Sequence, residues 1–180
     1  MLLCVDSLAA THSVAATLAS LARSGDVIVL AGDMGAGKTA FAQGFGQALG
    51  ITDAITSPTF TLVHSYPVPG RRLTLHHADL YRLDRTGDID DLALHELAEF
   101  DGIVLIEWGD VAAGSVGDHL EVRLSADDLD DLDDVDDPAD DAEFDDLGLD
   151  QHRTIELAAS GPAWAGRWNR VTDALAGYRC

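Results

Sequence analysis

Lysine is almost missing from this 180-residue chain: of eleven lysine and arginine residues, only Lys38 is lysine. Basic charge as a whole is scarce, with 32 aspartates and glutamates and a net charge of −21. Such a surface repels nucleic acid at long range, because nonspecific affinity comes from cationic contacts to phosphates. Any action on RNA would therefore run through protein partners. Cysteine is limited to Cys4 and Cys180 at the two chain ends, with no C-x-x-C. A disulfide framework is not expected, and a reducing cytoplasm fits better. No apolar run has the length of a membrane span. Met1 to Asp6 lacks the basic flank and apolar core of a signal peptide. The stretch from His95 to Glu99 begins like a zinc-protease motif but has no second histidine. His76 and His77 are adjacent, so they face opposite sides of a strand and make a poor chelating pair. The aspartate run lacks the glycine and spacing of a Ca²⁺ loop. Trp164 and Trp168, one helical turn apart, read as packing residues.

What is present describes one globular domain over residues 1–180, with 47% hydrophobic residues and enough chain for a sizeable core. Apolar residues recur with helical spacing from Thr11 to Arg23. Val27–Ala31 is a short continuous apolar run, as in a strand covered on both faces. Lys38–Leu49 reads as a helix, with Gly50 at its end. Thr61–Tyr66 and Leu73–Asp79 read as strands across a turn at residues 67–72, and Asp84–Phe100 as one or two short helices. Ile103–Glu107 is a second buried strand ending in an acid. His119–Ser125 and Arg153–Ala159 are further strands, and Pro162–Ala176 a C-terminal helix. The expected fold is α/β, a P-loop NTPase-like mixed sheet flanked by helices. Residues 126–150 hold thirteen aspartates and one glutamate with no basic residue. Aspartate is a weak helix former and these charges repel one another, so the segment reads as a mobile surface insertion.

The single lysine belongs to Gly32-Asp33-Met34-Gly35-Ala36-Gly37-Lys38-Thr39, a full match to G-x-x-x-x-G-K-[ST]. The glycines let backbone N–H groups converge on phosphate oxygens, and the following helix turns its positive end toward the anion. A compact ammonium fits beside a β/γ-phosphate pair where the wider guanidinium does not. Thr39 offers a hydroxyl to Mg²⁺. Ala40 contributes its N–H but no hydroxyl toward the α-phosphate. Glu107, at the end of a buried strand, has the position of a carboxylate that holds a metal beside such a loop; the alternative is a solvated strand-end acid. Asp79 closes another strand and is either a second acid for the metal or attacking water, or an exposed acid. Thr59 follows Pro58 on an extended segment and is either part of a nucleotide-sensing switch or a plain strand threonine.

Together with the loop, Ser57-Pro58-Thr59-Phe60-Thr61-Leu62-Val63, His77-Ala78-Asp79-Leu80-Tyr81-Arg82 and Ile106-Glu107-Trp108 occur in an order and spacing that resemble the TsaE (YjeE) family. The likeness covers roughly residues 8–125 and resumes at Arg153–Trp164. It implies a small cytoplasmic P-loop ATPase of the bacterial tRNA threonylcarbamoyladenosine (t⁶A) pathway, slow alone and acting with TsaB and TsaD. Transfer onto tRNA would be done by TsaD, with ATP hydrolysis resetting the complex between turnovers. It implies ATP and Mg²⁺ as cofactors, with Lys38 on the β/γ-phosphates and Thr39 and Glu107 on the metal. Asp79 would assist hydrolysis, the Thr59 segment would act as a switch, and Trp108 would lie beside the site. Arg153 matches a family basic position near the nucleotide, and Thr11 a family threonine near the base. Ala40 departs from the family's second threonine, which implies weaker nucleotide binding, and the acidic insertion is outside the common pattern. A P-loop small-molecule kinase and a noncatalytic nucleotide-gated adaptor are the alternatives; an arginine-rich lid for the kinase is not evident.

Overall fold

Val27–Ala31, buried at every position, forms a central strand. In a computed structural model of the chain, residues 1–58, 61–81, 94–108, 116–126 and 152–180 are described, apart from the side chain of His95. Their elements run β1 (Leu2–Val5), α1 (Leu8–Leu21), β2 (Val27–Ala31), α2 (Lys38–Ala48), β3 (Val63–Pro67), β4 (Thr74–Asp79), α3 (Leu94–Glu99), β5 (Gly102–Glu107), β6 (His119–Ala126), β7 (Arg153–Ser160), α4 (Pro162–Ala165) and α5 (Trp168–Ala174). A 3₁₀ turn at Ala176–Tyr178 closes the chain. The strands form one mixed seven-stranded sheet in the order β1-β7-β6-β2-β5-β4-β3. β6, β2, β5 and β4 are parallel, and β3, β7 and β1 add to the two sides antiparallel.

The buried strands read as continuous apolar runs because both faces of the sheet are covered. Alternation then divides them. Ile28, Leu30, Ile103 and Leu105 pack into a core with Val14 and Leu18 of α1, Phe41 and Phe45 of α2, and Trp164 and Val171. Val27, Val29, Val104 and Ile106 pack on the opposite face with Ala78, Leu94 and Ala98. Phe41 and Phe45 are fully buried, each worth about 2–3 kcal/mol in removed apolar surface. α1 starts at Ser7, whose Oγ accepts from the Ala10 N–H at 3.2 Å, an N-cap that satisfies one orphan donor of the first turn.

Three features depart from the sequence reading. β1 was not expected: four residues are too few to show a period, yet Leu3 and Val5 are buried and the strand pairs with β7. The C-terminal helix is two helices, broken at Gly166 and Arg167. Arg167 turns inward there, donating to Asp26 (Nη1 to Oδ2, 2.9 Å), to Leu21 O at 3.0 Å and to Ala163 O at 3.1 Å. The expectation of an unbridged chain is also corrected, for Cys4 and Cys180 are joined by a disulfide with a Cα–Cα distance of 5.1 Å. Spacing in sequence could not reveal this. β1 and the residues after the 3₁₀ turn lie side by side, with a bridge between Leu3 and Arg179, and that brings the ends together. Most of the acidic segment lies outside the described residues, as do residues 84–93 of the expected helical stretch. Among the described residues no helix is long and apolar enough to cross a membrane.

Candidate functional site

The loop from Gly32 to Gly37 leaves the carboxyl end of β2 and enters α2, at the edge of the sheet where open α/β folds bind their ligands. Two glycines are required by geometry. Gly32 has φ of 126°, and a Cβ there would collide with the Leu124 carbonyl of β6. Gly37 has φ of 104° and forms the N-cap of α2 with no side-chain hydrogen bond. The first N–H groups of α2, orphaned in any helix, face the space before it and favour an anion there.

Strand register supplies the acids. Asp79 of β4 and Glu107 of β5 are direct partners, and Leu30 of β2 flanks Glu107 on the other side. Both carboxylates are only 3% exposed. Burial of charge is tolerated only with polar partners, and each acid has them. Glu107 Oε1 accepts from Thr39 Oγ1 at 3.0 Å and from His77 Nε2 at 2.8 Å, while Oε2 has a longer contact of 3.4 Å to the same threonine. Asp79 Oδ2 accepts from Ser57 Oγ at 2.7 Å, and Oδ1 accepts from the Tyr81 N–H at 2.9 Å.

Lys38 is buried at the start of α2. Its Nζ donates to Gly32 O at 2.8 Å and Asp33 O at 2.7 Å, and lies 3.8 Å from the centre of the Trp108 ring, a cation–π distance. Trp108 takes a left-handed backbone, φ 61°, an uncommon state for a bulky residue. Its N–H donates to Leu30 O at 3.0 Å. The bend turns the indole over the lysine and against Tyr81, at a ring separation of 4.9 Å. Strain of this kind, about 1–3 kcal/mol, tends to mark functional positions.

These groups line one cleft of about 460 Å³, within the size range of small-molecule sites. Of the residues singled out in the sequence, Met34, Gly35, Gly37, Lys38, Thr39, Ala40, Asp79, Glu107 and Trp108 line it. Gly32 and Asp33 act through their carbonyls on Lys38, and Ala36 is buried within the loop turn, its N–H on Asp33 O at 3.2 Å. Thr11 lies elsewhere, buried in α1 with its hydroxyl on Ser7 O. Arg153, on β7, is buried behind the loop, its Nε 3.5 Å from where a Cβ of Gly37 would sit. Thr59 and Arg82 lie outside the described residues. Ser57, Tyr81 and His77 were not assigned roles from the sequence. All three sit in the two motif segments already noted, and His77 shares a strand face with Asp79 by alternation, the signal that could have found it.

Thr39 and Glu107 offer hydroxyl and carboxylate oxygens beside the glycine loop, whose sequence matches G-x-x-x-x-G-K-[ST]. Hard oxygen donors in such small number suit an ion that takes one or two protein ligands and completes its shell with phosphate and water, as Mg²⁺ does.

A family model described as threonylcarbamoyl adenosine biosynthesis protein TsaE matches residues 5–133. The tRNA threonylcarbamoyladenosine biosynthesis protein TsaE of Bacillus subtilis is 43% identical over 98 residues, covering 54% of this chain and 60% of that protein. The protein of the same name from Streptomyces coelicolor is 41% identical over 108 residues, covering 59% and 70%. That from Treponema pallidum is 41% identical over 110 residues, covering 59% and 79%. The crystal structure of Bacillus subtilis YdiB is similar across 98% of this chain and 94% of its own, with a TM-score of 0.68 at 26% identity.

Proposed function

The chain belongs to the TsaE family, and from that premise we propose that it is the Mg²⁺-dependent ATP-binding and hydrolysing subunit of the machinery that forms t⁶A in tRNA, acting with TsaB and TsaD. The observation that carries the reading is the convergence of Lys38, Thr39, Asp79 and Glu107 on one cleft at the carboxyl end of the parallel strands. Relatives 41–43% identical over part of the chain are named for this biosynthesis.

In this reading the loop amides and the N-terminus of α2 receive the ATP phosphates. Lys38 exchanges its contacts with Gly32 O and Asp33 O for β- and γ-phosphate oxygens. Thr39 and Glu107 hold Mg²⁺, which supplies charge neutralisation to the phosphates when bound. Asp79, steadied by Ser57 and the Tyr81 amide, orients the attacking water. The backbone and Lys38 stabilise charge on the transferred phosphoryl group, so the protein acts mainly by position and electrostatics. Trp108 lies over the ammonium, which sits 3.8 Å from the ring centre. TsaB and TsaD complete the assembly that handles tRNA, in keeping with a net charge of −21 that disfavours direct nucleic-acid contact.

The test is ATP turnover by the purified chain, alone and with TsaB and TsaD, with and without Mg²⁺. Stimulation by the pair and its loss in Lys38→Ala are the expected results. Turnover indifferent to the partners, with no complex formed, would overturn the assignment. Stoichiometric transfer of labelled phosphate to a metabolite would replace it with a kinase.

A further inference from the structure

We propose that His77 is a positioning residue for the metal-binding carboxylate, holding Glu107 in the orientation from which it serves Mg²⁺ beside Thr39. The inference rests on the nucleotide–metal reading above and adds to it a residue that carries no role there.

His77 is completely buried in β4, two residues before Asp79 and on the same face. Its Cα partners are His64 on β3 and Leu105 on β5, and Ala78 follows it in an interior strand. Nε2 lies 2.8 Å from Glu107 Oε1, so with a carboxylate as acceptor this nitrogen carries the hydrogen. Among the described residues Nδ1 is buried with no hydrogen-bond partner. Within that set the imidazole has one polar contact, and that contact is the acid. A residue kept only to fill this space would be better apolar, because burial of a ring nitrogen without a partner has a desolvation cost and a leucine has none. The polar side chain makes physical sense through Glu107.

Glutamate has three rotatable bonds, and Thr39 alone does not fix its head, since the hydroxyl lies near both oxygens at 3.0 and 3.4 Å. His77 contacts only one. It thereby makes the two oxygens unequal: Oε1 accepts two hydrogen bonds, and Oε2 keeps its lone pairs for a cation or the water bound to it. Partners that orient a metal ligand in this way typically matter by about 10–100-fold in metal affinity.

The experiment uses the full chain, ADP, and Mn²⁺ as a paramagnetic substitute for Mg²⁺, with free Mn²⁺ read by electron paramagnetic resonance. ADP affinity in chelator is measured in parallel. His77→Leu is expected to weaken Mn²⁺ binding by about 10–100-fold while leaving metal-free ADP affinity unchanged. His77→Gln, whose amide nitrogen reaches toward Glu107, is expected to restore Mn²⁺ binding. If His77→Leu does not fold, His77→Asn, one methylene shorter, takes its place against His77→Gln. Mn²⁺ affinity equal to wild type in the folded Leu or Asn variant overturns the inference and leaves the nucleotide reading intact. Equal loss in all variants together with lost ADP affinity also overturns it, as a general packing role. A wild-type chain that binds ADP but no Mn²⁺ overturns the metal assignment itself, and this inference with it.

Discussion

At the scale of single residues, the site depends on a few atoms whose neighbours are strongly constrained. Thr39→Val removes one hydroxyl while keeping the shape, and it leaves Glu107 held by His77 alone. Mg²⁺ stimulation of ATP turnover is expected to fall at least tenfold while ADP binding in chelator persists; a Val variant with normal Mg²⁺ dependence would remove Thr39 from the metal site. Ala40 lines the cleft and has no side-chain donor for a phosphate. Ala40→Thr adds one, and a hydrogen bond worth about 1 kcal/mol should tighten ADP binding roughly fivefold by calorimetry. The loop residues and Lys38 were legible in the sequence because the motif is local, its glycines, lysine and threonine lying within eight positions, and Glu107 because it ends a continuous apolar strand. Alternation could place His77 on the face of Asp79, but its contact with Glu107 was not legible, because that partner is thirty residues away and only strand register brings them together. Thr11 and Arg153, named by family likeness, are not among the residues that line this cleft.

Elements decide how these residues are held. The bidentate pair between Arg167 and Asp26 ties the break before α5 to the start of β2. Arg167→Met would leave Asp26 buried without its cation, and loss of about 3–5 kcal/mol in chemical denaturation is expected. On β4, His76 faces away from His77 and sits 2.8 Å from Ser65 Oγ. Its pKa is lowered from 6.5 by burial, so the folded chain binds fewer protons than the unfolded one. The histidine's contribution to stability is thus fully present above pH 6.5 and is lost as pH falls through the lowered folded value. His76→Gln is expected to flatten the dependence of melting temperature on pH below 6.5, and an unchanged slope would assign it to other groups. The bounds of β2, α2 and β6 agree with the sequence pattern to within a residue, since each has a clear period or apolar run. β1 is an apolar run of only four residues, too short to show a period, and the break at Arg167 is imposed by the buried Asp26 before β2.

For the whole molecule, the Cys4–Cys180 disulfide links positions 176 apart and so closes nearly the entire chain into a ring. A bridge across so long a loop limits the unfolded ensemble, an effect of about 2–4 kcal/mol. Melting in reductant should shift downward, and a Cys4→Ser, Cys180→Ser chain should melt at the same temperature with and without reductant. A wild-type melting point insensitive to reductant would show that the bond adds no stability. Neither cysteine lines the cleft, and β7 and β6 stand between β1 and β2, so ATP turnover is expected to survive reduction.

By itself the sequence determined the class of fold, the phosphate loop and the acids at two strand ends, because those depend on short-range period, glycine placement and charge. It also determined the strong acidity of the chain, a net charge of −21. Only the tertiary structure decided that Asp79 and Glu107 are neighbours, that His77 and Ser57 steady them, and that the two termini meet. Those contacts are set by the pairing of β4 with β5 and of β1 with β7. Strand order is a property of how two apolar faces are covered at once, and no local window of the chain contains it.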